Sequence, residues 1–263
     1  MVFASPLPDV EIPAVPLTGY VLARASALGD KPALIDGPSG RTITYAGLEA
    51  GIRSLAGGLV ARGFSRGTLA LMSPNIPEYA VIFHGVAMAG GVITTINPTY
   101  TEAEVHKQLL DSHATILVTI PMFLEVATKA AEGTDVAEVF VLGEAEGARP
   151  VTGLFGPPLA EQVPVEPDDV VVLPYSSGTT GVNKGVMLSH DNMIFVADAL
   201  YERNASVGQI RSLSVLPMSH VYGVLMMNLG YRMGNSTYIL KHFDAGKVLS
   251  LIESFKAQRL AFV

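Results

Sequence analysis

The chain has 263 residues, 49% apolar and 16% charged, which is enough apolar material for a sizeable core and argues against disorder. Its formal charge of −7 argues against nucleic acid and against an anionic membrane surface as partners. It has no cysteine, which excludes disulfides, cysteine–zinc sites and thiol nucleophiles, and cytoplasmic localisation is expected.

Residues 1–16 lack the basic start of a signal peptide and carry Pro6, Pro8, Pro13 and Pro16, so an extended arm is expected. Residues 17–28 read as a short helix ended by Gly29. Residues 33–35 and 42–44 flank Gly37-Pro38-Ser39-Gly40 and predict a hairpin. From Tyr45, the residues Leu48, Ile52, Leu55, Ala56 and Leu59 recur at helical spacing up to Gly63. Strands are then expected at 69–72, 92–96, 115–119 and 139–142. Between them stand a helix opened by Pro77 and closed by Gly90-Gly91, a second with Thr101 and Glu104 as a capping box, and a third over 122–131.

The second half continues with strands at 170–173 and 186–188, a helix over 193–202 and a strand at 213–216. A helix over 221–233, a strand at 237–240, a helix over 245–256 and a strand from Leu260 follow. This alternation implies an α/β fold of two stacked, doubly wound, mostly parallel subdomains. The first would take residues 1–150 with the arm. Residues 151–168, with Pro157, Pro158, Pro164 and Pro167, would be a linker. Residues 169–263 would begin the second subdomain, which is expected to be incomplete because the chain stops inside a buried-looking strand. Residues 79–101 and 212–231 contain no Asp, Glu, Lys or Arg and are long enough to raise the question of a membrane span. Gly90-Gly91, Asn97-Pro98, Pro217 and Ser219-His220 interrupt them, so they read as core and no membrane span is expected.

Ser176-Ser177-Gly178-Thr179-Thr180-Gly181-Val182-Asn183-Lys184-Gly185 is a polar loop between two apolar runs. Hydroxyls, glycines that let backbone N–H groups approach closely, and a lysine with no carboxylate nearby suit a polyphosphate. A P-loop is excluded, because Asn183 stands where its second glycine is required and Gly185 where its Ser or Thr should be. A nicotinamide-binding Rossmann unit would need G-x-G-x-x-G after an early strand, and none is present.

The loop resembles the S-S-G-T-T-G-x-P-K-G-V signature of adenylate-forming enzymes, and the longer string from Leu173 to His190 is most similar to the 4-coumarate–CoA ligase branch. A second motif of that family, P-x-x-H-x-Y-G, stands as Pro217-Met218-Ser219-His220-Val221-Tyr222-Gly223. Pro74-Asn75, Glu78, Gly90-Gly91, Asn97-Pro98, Thr101, Glu104 and Lys107-Gln108 add to the resemblance.

The resemblance implies a two-step reaction. A small-molecule carboxylic acid attacks the α-phosphate of Mg·ATP to give an acyl-adenylate, and coenzyme A then displaces AMP. Ser176, Ser177, Gly178, Thr179, Thr180, Gly181 and Lys184 would hold the phosphates, with Lys184 and His220 as the catalytic pair. His220 would orient the carboxylate and Tyr222 would wall the acyl pocket. Asn183 replaces the family's proline, and Met218-Ser219 replaces its aromatic or apolar pair. At Lys241-His242-Phe243-Asp244 the usual basic residue facing coenzyme A would have to be supplied by Lys241 or His242. The magnesium ligand, the ribose-binding aspartate and the adenylation lysine are expected outside this chain, so no metal site is assigned within it. His84, His106 and His113 match no motif. The alternative reading is a phosphate-binding module without turnover.

Overall fold

The computed structural model describes residues 11–37, 39–176, 183–204 and 207–261. The helix expected at 17–28 is two, α1 (Leu17–Val21) and α2 (Ala25–Leu28), and Gly29 ends the second at φ +49°. The hairpin β1 (Pro32–Asp36) and β2 (Thr42–Thr44) leads into α3 (Tyr45–Ala61), capped where the Thr44 hydroxyl accepts from Gly47 N at 3.0 Å. Then come β3 (Thr68–Met72), α4 (Glu78–Met88), β4 (Val92–Ile96), α5 (Glu102–Ser112), β5 (Ala114–Thr119), α6 (Leu124–Ala131) and β6 (Glu138–Val141). The capping box opening α5 is formed as expected, Thr101 accepting from Glu104 N and Glu104 from Thr101 N. The remaining elements are β7 (Arg149–Pro150), β8 (Val170–Ser176), β9 (Lys184–Gly185), β10 (Leu188–Ser189), α7 (His190–Asn204), β11 (Arg211–Ser214), α8 (Val221–Met233), β12 (Ser236–Ile239), α9 (Ala245–Phe255) and β13 (Arg259–Ala261). Helix α7 starts earlier than the apolar pattern implies because Ser189 and Asn192 bond each other's backbone N–H groups at its N-terminus.

The strands form two sheets. One has the order β13-β11-β12-β1-β2 and is parallel except for the β1–β2 hairpin. The other runs β10-β8-β4-β3-β5-β6-β7, parallel from β8 to β7, with β9 and β10 antiparallel on β8.

The two-residue periodicity of β3 shows how the layers arise. Leu69 and Leu71 face a core shared with α3, α4, α8 and, from the other sheet, Leu34 and Ile239. Ala70 and Met72 face Val105 and Leu109 of α5 and Ala127 and Ala130 of α6. Helix α4 is apolar all round because it is buried all round in the layer between the sheets, which also accounts for its lack of charge after Glu78. Among the described residues no helix is long and apolar enough to cross a membrane.

Strand pairing crosses residues 151–168 in both directions. β8 pairs with β4, and β1 pairs with β12. The intervening segment is tied to α3, where Gly156 N donates to Ser54 O and Leu159 N to Arg53 O, each at 2.9 Å. Gly58 makes this approach possible, because a Cβ there would stand 1.9 Å from the Leu154 carbonyl oxygen.

Candidate active site

β8 extends beyond the expected 170–173 and ends at Ser176. β9 returns antiparallel, placing Lys184 opposite Ser176 and Gly185 opposite Tyr175. The strand expected at 186–188 is interrupted, and Val186 and Met187 are exposed. Pro174 is the cause. Val186 N donates to Pro174 O at 2.9 Å, but proline has no N–H to return. Ser177, Gly178, Thr179, Thr180 and Gly181 lie outside the described residues. Ser176 and Lys184 are thus the described ends of the expected phosphate loop, and the strand pairing holds them together.

A polar cavity of about 490 Å³ separates this stem from α5, lined by Glu104, Lys107, Gln108 and Asp111 on one side and by Tyr175, Asn183 and Lys184 on the other, so the loop lysine, free of carboxylates in sequence, shares its cavity with two from α5. Tyr175 Oη donates to Asp111 Oδ2 at 2.5 Å. Burial, and after it the Asp111 bond, raise the Tyr175 pKa, so the phenol stays protonated at neutral pH. Gln108 Nε2 donates to Thr94 Oγ1 at 2.9 Å and to Thr95 O at 3.1 Å.

His220 stands at the N-cap of α8 with extended backbone, and its Nδ1 accepts the Tyr222 N–H at 3.2 Å. In the neutral ring the proton therefore sits on Nε2, which leaves an N–H donor for a ligand. His220 and Tyr222 line a cavity of about 250 Å³ with Thr95, Asn97, Tyr100 and Tyr175. Tyr222 is 36% exposed, so it walls the cavity and is not a core residue. Gly223 admits the tight start of α8, since a Cβ there would lie 2.0 Å from Pro217 O. Met227 and Met233 of the same helix are buried.

Tyr175 lines both cavities, so the two motifs meet across one side chain. Lys241 is elsewhere. It follows β12 and lines a third cavity, of about 740 Å³, with Asp36, Arg41, Ile76, Leu142 and Phe155. His242 is exposed and lines none of the three. His84 is a core residue held by Thr18, with Nδ1 and the hydroxyl 3.2 Å apart. His106 Nδ1 faces Ala130 O at 2.9 Å, and His113 pairs with Asp135 on the surface. Among the described residues no group of three or more His, Asp or Glu side chains is placed to hold a metal ion.

The sequence reading missed the buried polar residues behind the site, Thr94, Thr95 and the roles of Asn75 and Gln108. One signal was available. Two adjacent threonines stand just before the last residue of an otherwise apolar strand, near the carboxyl edge where ligands of parallel sheets bind.

Residues 22–263 match the AMP-binding enzyme family. The chain is 37% identical over 273 residues to 4-coumarate–CoA ligase 3 of Oryza sativa subsp. japonica, which covers all of this chain and 49% of that protein. The structure of a long-chain-fatty-acid-CoA ligase from Archaeoglobus fulgidus matches with a TM-score of 0.88 and 26% identity, over 98% of this chain and 53% of that one. ATP-bound MatB from Rhodopseudomonas palustris matches with a TM-score of 0.79 and 28% identity, over 92% of this chain and 48% of that one. The chain spans about half the length of the curated relatives it matches.

Proposed function

Because the chain belongs to the AMP-binding enzyme family, we propose that it is the N-terminal, phosphate- and carboxylate-binding part of an ATP-dependent carboxylate–CoA ligase and is not competent alone. One observation carries this reading: the Ser176–Lys184 stem and the His220 cavity share Tyr175 as a common wall. A polyphosphate on one side of that phenol and a carboxylate on the other would be neighbours.

In this reading ATP supplies the adenylyl group and coenzyme A the thiol. Ser176 and Lys184, with the hydroxyls and backbone of Ser177, Gly178, Thr179, Thr180 and Gly181, hold the β- and γ-phosphates as charge moves toward the leaving pyrophosphate. The lysines at 107 and 184 would meet that anion in a cavity whose two carboxylates are engaged elsewhere, Asp111 by Tyr175 and Glu104 in its capping box. The Nε2–H of His220 orients the carboxylate, and Tyr222 bounds the acyl group. Of the two candidates for the phosphates of coenzyme A we favour Lys241, because it lines the 740 Å³ cavity and His242 does not. The magnesium ligand is assigned to the part of the protein beyond this chain, and the cytoplasm is the proposed compartment.

Carboxylate-dependent ATP–pyrophosphate exchange tests this reading, measured on the 263-residue chain and on a chain extended to the length of the relatives. Exchange is expected only in the longer chain. Its absence there with every aryl and fatty acid tried would leave the module without turnover as the reading.

A further inference from the structure

The turn that carries His220 belongs to one sheet, yet its polar backbone is bonded largely by the other. β11 ends at Ser214, so the groups of residues 216–219 lie beyond the ladder. Asn75, in the loop after β3, takes up two of them: its Nδ2 donates to Leu216 O at 2.8 Å, and its Oδ1 accepts Met218 N at 2.7 Å. The same Nδ2 reaches Leu240 O at 3.1 Å. Thr95 of β4 takes a third, its hydroxyl donating to Ser219 O at 2.8 Å. Asn75 and Thr95 are 3% and 2% exposed, so water cannot replace either of them cheaply. The neighbouring Thr94 points to the opposite face of β4 and donates to Leu173 O of β8 at 2.9 Å.

We propose that Asn75 and Thr95 are positioning residues for His220, fixing the turn so that its ring accepts the Tyr222 N–H through Nδ1 and presents Nε2–H to the cavity. Asn75 lines neither cavity, and Thr95, which borders the His220 cavity, has its hydroxyl committed to Ser219 O. Each acts through the backbone of residues 216–219, and β4 thereby sets the spacing between the phosphate-loop stem and the histidine. The placement and tautomer of the ring follow from the hydrogen bonds alone. The catalytic value of that placement rests on the ligase reading.

The test reads the two separately. The 263-residue chain is labelled with ¹⁵N at histidine, His220 is assigned through His220→Gln, and its ring nitrogens are followed by NMR. Wild type and Thr95→Ser should show one Nε2-protonated ring. Thr95→Val should move those signals toward the tautomer mixture of free imidazole, and Thr94→Val, which removes a hydroxyl from the same strand, should leave them in place. Asn75→Asp, which keeps the acceptor for Met218 N and loses the amide donors, reads the same turn should Thr95→Val fail to fold. Unmoved His220 signals in a folded Thr95→Val or Asn75→Asp chain, or equal movement in Thr94→Val, would overturn the proposal. In the extended chain Thr95→Val should lower kcat for adenylation about tenfold with little change in KM for ATP, and Thr95→Ser should restore it. Absence of exchange in the wild-type extended chain would remove the ligase reading and leave the NMR result standing.

Discussion

Tyr175 and Asp111 meet at 2.5 Å and join the strand that ends in Ser176 to the helix that supplies Lys107 and Gln108. The bond fixes one wall of both cavities. Tyr175→Phe should cost about 1 kcal/mol of stability, the usual net worth of such a hydrogen bond. Asp111→Asn, which keeps an acceptor oxygen, should cost less. Urea denaturation of both variants checks the order, and an equal or larger loss in Asp111→Asn would contradict it.

Lys184 is the one cation of the expected phosphate loop, while His113 sits on the surface in a pair with Asp135. In the extended chain Lys184→Ala should reduce pyrophosphate exchange on the order of a hundredfold, as for loss of one preorganised donor. His113→Ala should change it less than about twofold, since its partner Asp135 is an exposed carboxylate on the surface. Comparable effects would argue against the loop assignment.

Gly223→Ala and Gly58→Ala each place a methyl within 2.0 Å of a carbonyl oxygen, that of Pro217 and of Leu154 respectively. Each should destabilise the chain by about 1–3 kcal/mol or more, because backbone on both sides must move. Only Gly223→Ala should also shift the His220 ring signals. Chemical denaturation and histidine NMR on the two variants separate a packing cost shared by both from a site effect confined to one.

The pH dependence of stability follows from buried histidines. Burial holds the His84 pKa down to about 3, against about 6.5 when exposed. Between those values the unfolded chain binds a proton that the folded chain does not. Stability should therefore fall as pH drops below about 6.5, by on the order of 1 kcal/mol per pH unit from this group. His190, buried with its Nδ1 accepting Leu17 N at 3.1 Å, is shifted downward by burial and adds in the same direction. Urea midpoints at pH 7.5 and pH 5 should show a smaller drop for His84→Gln than for wild type. Identical drops would mean that other groups carry the effect.

Periodicity exposed most elements, because α4, α5 and β3 each bury a face or a whole surface whose spacing is written in the residues. It did not expose the break in the return strand after Lys184, which comes from the missing N–H of Pro174 on the neighbouring strand. Nor could it show which strands share a sheet. Local pattern specifies that β1 is a strand, and only the packed layers specify that β12 is its neighbour. The two motifs, at 176–185 and 217–223, were legible as strings of residue types. The supports behind them were not, since Asn75 and Thr95 reach their partners 141 and 124 positions away.

The pairing of β1 with β12 has a consequence for how the chain is made. Ser236 donates to the carbonyl of Pro32, 204 positions earlier. During synthesis β1 and β2 emerge long before their parallel partner exists, and one edge of that hairpin stays unpaired until some 204 further residues have been made. Contacts of such long range slow folding, and an open apolar strand edge invites association in the interval. The first sheet should accordingly be the late-forming one, and a chain cut anywhere before β12 should aggregate during expression.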